Sequence, residues 1–296
     1  MKELFDMLVQ FFGYLILGII QGLTEVFPVS SSAHLAIARS FLQKNFDFEG
    51  FGFEAAVFLH LGTLAAIFAL YRKDVFDLGR SFLTTIKQRL APLYDRIDPE
   101  AAHLNPRTPF LMLFSLCVTV LFALALKYPA ERLFYRVSSI SALLVINGLI
   151  ILAVARFASG NKRIDEIGLL DYALIGAAQG IAVLPGISRF GMTLCAGLWR
   201  GLGWFEALKL SFLLSLPTVL GAVVLKVAEG AMAGDVLKHL DLAGVTFSTV
   251  IAAIVGYLAI KFLLKKNLHT RNKLTYFGYY CSMVGLFFFV LFRYLD

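Results

Sequence analysis

Between Gln21 and His34 the chain reads Gln21-Gly22-Leu23-Thr24-Glu25-Val26-Phe27-Pro28-Val29-Ser30-Ser31-Ser32-Ala33-His34, a carboxylate, hydroxyls and an imidazole inside otherwise apolar sequence. Gln21 and Glu25 lie four residues apart and share one face of a helix. Pro28 interrupts that helix, and Ser30, Ser31 and Ser32 are natural N-caps for the next. A helix N-terminus offers free backbone N–H groups to an anion. A carboxylate facing it can hold a divalent cation, and the imidazole of His34, one turn further on, can move a proton. This is a kit for phosphoryl chemistry. Any one of the serines is accounted for by capping alone. Glu25 and His34 together need more reason than packing, because ionisable groups at membrane depth are costly.

A second polar island, Pro185-Gly186-Ile187-Ser188-Arg189-Phe190-Gly191-Met192-Thr193, lies in the other half of the chain. Gly180 to Gly186 is again a helix-breaking approach, and Ser188 and Thr193 supply hydroxyls. The planar guanidinium of Arg189 suits bidentate phosphate binding. Snorkelling to the membrane interface is the plainer role for such an arginine; the Pro-Gly turn and the hydroxyls beside it favour phosphate. The two islands read as one site built from two halves.

The elements that must position these residues are membrane helices. Of 296 residues, 59% are hydrophobic and 16% charged, with a mean hydropathy of +0.77. A soluble chain of this size could not hide that much apolar surface. The apolar runs are continuous rather than alternating, which excludes a β-barrel and gives an all-α polytopic membrane protein. The net charge of +7 comes from basic residues lying between apolar spans, so it reads as topology and not as a nucleic-acid surface. Cys117, Cys195 and Cys281 fall in apolar stretches without paired spacing and read as small buried residues. Lys2 and the apolar run 11–20 resemble a signal peptide, but no small-residue cleavage site follows, and the segment is expected to be retained.

Six segments can span a bilayer: 51–72, 109–127, 137–157, 207–229, 241–264 and 274–294. Two more, 7–28 and 168–187, run into the polar islands and are expected to be re-entrant, since broken helices are tolerated only where protein or a cavity covers them. The connections 72–107, 156–166 and 261–273 are rich in Lys and Arg and should be cytoplasmic. Threading the spans through them places the first re-entrant segment on the outside and the second on the inside. Residues 1–157 and 158–296 then form the halves of an inverted-topology repeat within a single membrane domain 1–296. Gln21-Gly22 and Gln179-Gly180 precede Ser30 and Ser188 by the same spacing, and Phe53-Glu54-Ala55 recurs as Phe205-Glu206-Ala207. Inverted repeats place a site near the midplane, at broken helix ends.

The islands resemble the signatures of the undecaprenyl-diphosphatase family, integral-membrane enzymes linked to bacitracin resistance. The family's first motif, an (E/Q)GxxE stretch followed by PVSSxxH, is similar to Gln21–Glu25 and Pro28–His34; its second, PGxSRSGxT, is similar to Pro185–Thr193. The resemblance extends through Phe53-Glu54 with Leu61-Gly62 and through Phe212-Leu213-Leu214 with Pro217, and so covers the chain in order. It implies six spanning helices and two re-entrant helix pairs. It also implies a phosphatase in the cell (inner) membrane that converts undecaprenyl diphosphate to undecaprenyl phosphate and inorganic phosphate, recycling the carrier lipid of the cell envelope. By position Glu25 would be a catalytic or metal-linked carboxylate, Ser31 the nucleophile with Ser30 beside it, and His34 the proton carrier; Arg189, Ser188 and Thr193 would hold the diphosphate. A divalent cation (Mg2+ or Ca2+) and a homodimer are implied as well. Gln21 stands where many members carry Glu; its amide oxygen can ligate a cation without adding charge, which implies either a weaker cation site or a contribution from Glu54. Phe190 replaces a serine beside the phosphate site, and Ala33 replaces a glycine. Serine attack and direct attack by water fit the sequence equally. A lipid-phosphate transporter or flippase, and a non-catalytic family member, are the rival classes.

Overall fold

The structure is a computed structural model that describes residues 1–48, 51–90, 106–134, 136–233, 241–265 and 271–295, without the side chains at 53–54, 87–90, 230–233, 265, 271–273 and 295. Ten α-helices occur among the described residues: α1 (Lys2–Thr24), α2 (Ser31–Phe46), α3 (Phe53–Leu90), α4 (Thr108–Phe134), α5 (Val137–Phe157), α6 (Leu169–Ile181), α7 (Arg189–Trp199), α8 (Trp204–Ala233), α9 (Leu242–Lys265) and α10 (Arg271–Leu295). A short 3-10 turn, Ile164–Glu166, precedes α6. No strand appears among the described residues. The basic connections at 91–105 and 266–270, and the connection at 234–240, lie outside them.

The six expected spans are present as α3, α4, α5, α8, α9 and α10. Two features differ from expectation. Among the described residues seven helices, not six, are long and apolar enough to cross a membrane, because α1 runs unbroken for 23 residues. The span expected to end at 72 bends at Tyr71 (φ −104°, ψ 16°) and continues as helix to Leu90, so much of the following basic connection is helical. No proline interrupts residues 72–90, and Val75 and Leu78 pack on the core, which gives that stretch an apolar face. By contrast α6 has only 13 residues, about 20 Å of helix, and cannot cross.

Both broken segments turn back on themselves. After α2 the ring of Phe48 packs on Tyr14 of α1, with centroids 5.2 Å apart, so α2 returns along α1. Just past α7, Arg200 pairs with Asp171 in the first turn of α6 at 2.5 Å, closing the second hairpin at its base. Glycines bring these hairpins against long helices. Gly22 of α1 lies against Val255 and the Ala252 carbonyl of α9, and Gly176 of α6 lies against the Ser115 carbonyl of α4. Without a hydrophobic force between helices in lipid, such backbone approach is what gives packing energy. The largest interface joins α5 to α10, and α5 also touches α2 and α7.

Burial is inverted relative to a soluble protein. Leu121, Leu149, Leu258 and Phe287 are exposed, whereas Gln21, Ser115, Asn147 and Ser248 are fully buried. Lipid accepts the former, and the interior must supply partners for the latter. Gly186, in the second break, has φ +104°, and a Cβ there would collide with the Ile140 carbonyl and Leu143 of α5. Gly186→Ala is expected to cost ~2 kcal/mol or more, read as a lowered unfolding temperature in detergent.

Candidate active site

The first break follows from its residues. Helix α1 ends at Glu25, whose N–H still bonds to the Gln21 carbonyl at 3.0 Å. Pro28 prevents its continuation, and Ser30 adopts φ 68°, ψ 94°, a region that costs a non-glycine residue about 1–3 kcal/mol. Local bonds hold Ser30 there. Its hydroxyl accepts from the Ala33 N–H at 3.4 Å, and its carbonyl accepts from His34 Nδ1 at 2.8 Å. The strained turn sets Ser31 at the start of α2, where its hydroxyl donates to Glu25 Oε2 at 2.7 Å.

In the second break Ser188 caps α7, its hydroxyl accepting from the Gly191 N–H at 3.0 Å. Arg189 is the first residue of α7, and its guanidinium forms an ion pair with Glu25 Oε1. One direct bond and one bridge through Asn147 also join the breaks. The Gly186 N–H donates to Ser32 Oγ at 3.1 Å. Asn147, in the middle of α5, accepts from the Ser188 N–H at 3.0 Å and donates to the Pro28 carbonyl at 3.3 Å. Asn147 has ten residues of α5 on either side, so the site lies about 15 Å from each end of that helix.

The carboxylate of Glu25 is the centre of the site. Its side chain is 8% exposed and accepts from Arg189, Ser31 and Gln21 Nε2 (3.2 Å), with His60 Nε2 3.3 Å from Oε2. His60 is held in turn by Nδ1 on the Ala56 carbonyl at 2.7 Å. Ser31, Arg189, His34 and His60 are each only partly buried, so a ligand can reach the set.

The residues singled out from the sequence are distributed as follows. Gln21, Glu25, Ser31 and Arg189 converge in one bonded group. Ser30 and Ser188 cap their helices, and the hydroxyl of Thr193 bonds back to the Arg189 and Phe190 carbonyls, both at 3.1 Å. His34 turns away from Ser31, with Nε2 on the Tyr280 hydroxyl at 2.8 Å and its ring stacked on that of Tyr280. The side chain of Glu54 lies outside the described residues. Its counterpart Glu206 accepts the Ile164 N–H at 3.1 Å, away from both breaks. Phe190 does not crowd the arginine: its ring is buried and stacked on Phe212 at 4.7 Å. His60, Asn147 and Tyr280 are not among the candidates that the sequence yields. The only signal each carries there is a polar group inside an apolar span.

A divalent cation fits the chemistry of this donor set. Glu25, Gln21 and Ser31 offer only oxygen, the ligand for Mg2+ or Ca2+, and Gln21 Oε1 is buried without a partner. Among the described residues no three His, Cys, Asp or Glu side chains cluster as a metal cage.

Fold and site together define an all-α, multi-pass membrane protein with a charged, hydroxyl-bearing centre at mid-depth. The family of bacitracin resistance protein BacA matches residues 14–287. The undecaprenyl-diphosphatase of Carboxydothermus hydrogenoformans is 36% identical over 280 residues, covering 95% of this chain and 97% of the relative. That of Halothermothrix orenii is 32% identical over 282 residues (95% and 98%), and that of Methanobrevibacter smithii 35% over 292 residues (93% and 95%). The chain belongs to the BacA family.

Breaking a buried ion pair on one side strands a charge. Arg189→Met is therefore expected to cost about 3–5 kcal/mol, and adding Glu25→Gln to that variant should restore most of it. Thermal unfolding of the two variants in detergent checks this.

Proposed function

We propose that this chain is a membrane phosphatase that hydrolyses undecaprenyl diphosphate to undecaprenyl phosphate and inorganic phosphate. The observation that carries the reading is the Ser31 hydroxyl, bonded to a carboxylate that is itself paired with a guanidinium from the opposite break. The family and the relatives named undecaprenyl-diphosphatase support the same activity. The product is the carrier lipid of envelope synthesis, and the enzyme belongs in the cell's inner membrane.

In the proposed reaction the lipid enters sideways and places its terminal phosphate between Ser31 and Arg189. Arg189 and the free N–H groups at the start of α2 take up its charge, which is where most phosphoryl-transfer catalysis comes from. Ser31 Oγ attacks the terminal phosphorus as Glu25 accepts its proton. The bond from that phosphorus to the bridging oxygen breaks, and undecaprenyl phosphate leaves. Water then cleaves the phosphoserine, releasing phosphate and restoring Ser31. Glu25 returns the proton to Ser31 Oγ in that second step; His34, held by the Ser30 carbonyl and the Tyr280 hydroxyl, stands outside this transfer. A bound Mg2+ or Ca2+, held by Glu25 and Gln21, would supply additional charge neutralisation.

The two halves are proposed to be an inverted repeat. Gly18-Ile19-Ile20-Gln21-Gly22 packs α1 on α9, and Gly176-Ala177-Ala178-Gln179-Gly180 packs α6 on α4, so each hairpin leans on a helix of the other half. The family resemblance also suggests a homodimer, which cross-linking in native membranes would test.

Purified protein should release phosphate from undecaprenyl diphosphate and stop when a chelator removes divalent cation. Arg189→Ala and Ser31→Ala should each lower kcat by ~100-fold or more. Full turnover in Ser31→Ala would eliminate the serine nucleophile and leave direct attack by water. A wild-type protein that binds the lipid but never releases phosphate would sink the phosphatase reading.

A further inference from the structure

We infer that Asn147 is a positioning residue for this reaction, fixing the register of the break that carries Glu25 and Ser31 against the break that carries Arg189. The inference rests on the phosphatase reading above. Asn147 is fully buried, and its helix α5 packs on both α2 and α7. The orientation of its amide is dictated by its neighbours. The Ser188 N–H can only donate, so it faces Oδ1 at 3.0 Å; the Pro28 carbonyl can only accept, so it faces Nδ2 at 3.3 Å. Nδ2 also lies 3.6 Å from Cys281 Sγ of α10.

Among residues of this size, only the amide, or a carboxyl that keeps its proton, supplies both halves of the bridge. A hydrocarbon would leave a buried N–H and a buried carbonyl without this partner. A carboxylate would satisfy Ser188 but set oxygen against oxygen at Pro28. The anchored atoms are close in sequence to the reacting groups: Ser188 adjoins Arg189, and Pro28 lies midway between Glu25 and Ser31. A slip of either break therefore moves the guanidinium relative to the carboxylate and the nucleophile. A displacement of about 1 Å is enough to cost ~100-fold in rate. Asn147 touches neither reacting group, so it acts through the backbone of the two breaks.

The test compares wild type, Asn147→Leu and Asn147→Asp on undecaprenyl diphosphate at neutral and alkaline pH. Asn147→Leu is expected to lower kcat ~100-fold and to leave KM within about threefold. Asn147→Asp faces the Pro28 carbonyl, the Ser188 amide and the Cys281 thiol, with no charged group among its contacts. Buried with no charged partner, it stays protonated at neutral pH, where its O–H can donate to Pro28, so its kcat should stay within about tenfold of wild type; its activity relative to wild type should fall in alkali, once the carboxylate forms. Asn147→Leu with kcat near wild type overturns the inference, as does Asn147→Asp with kcat ~100-fold below wild type at neutral pH. If Asn147→Leu does not fold, Asn147→Asp decides alone. An inactive wild type would instead sink the phosphatase reading. Hydrogen exchange at the Ser188 amide then still reads the tether: faster exchange in Asn147→Leu, or in Asn147→Asp at alkaline pH, than in wild type at the same pH supports it, and unchanged exchange overturns it.

Discussion

A carboxylate and a guanidinium meet at a depth where lipid offers neither of them solvent. Glu25 ends the first broken helix and Arg189 begins the second, and each is the other's counter-charge. Neither charge could remain ionised in a membrane interior alone. The pair therefore requires that both breaks reach the same place, although 164 residues separate the partners. The hairpins and the helices they lean on follow from that requirement.

Meeting it imposes strain and close packing. Ser30 and Gly186 both sit at positive φ, and both are held by neighbours that would lose bonds or space if they relaxed. Gly191 lets the breaks approach, since a Cβ there would lie 3.2 Å from Pro28 Cβ. Direct bonds from Ser32 and Asn147 then tie one break to the other. A site held this way has its donors aimed before substrate arrives, which is the condition under which charge stabilisation lowers a barrier most. The hydroxyls of Ser188 and Thr193 belong to this scaffold, each being occupied by backbone. Ser31 is different: its partner is the carboxylate, so its proton already has somewhere to go.

Much of this is legible in the sequence. Spans of about 20 apolar residues are imposed by bilayer thickness, so α4, α5, α8, α9 and α10 appear close to where hydropathy puts them. Gln21, Glu25, Ser31 and Arg189 stand out because polar groups in such sequence demand a reason. Less legible is the extent of α1 and α3. Helix continues wherever nothing stops it, and hydropathy marks where a chain leaves lipid, not where it stops being helical.

His60, Asn147 and Tyr280 are invisible as site residues in the sequence, because each is one polar group within a membrane span and no neighbouring motif marks it. Their meaning lies in partners far along the chain: Tyr280 with His34, Asn147 with Pro28 and Ser188. Phe190 illustrates the converse, a residue adjacent in sequence to the arginine whose ring belongs to the core around Phe212. The sequence by itself determined the class of protein, the spans, the two breaks and the chemical types gathered there, because bilayer thickness and the cost of buried charge act on local composition. Only the tertiary structure decided that Glu25, not His34, receives the Ser31 hydroxyl, and that α5 ties the two breaks together. Those are matters of direction and register between distant segments, which composition does not encode.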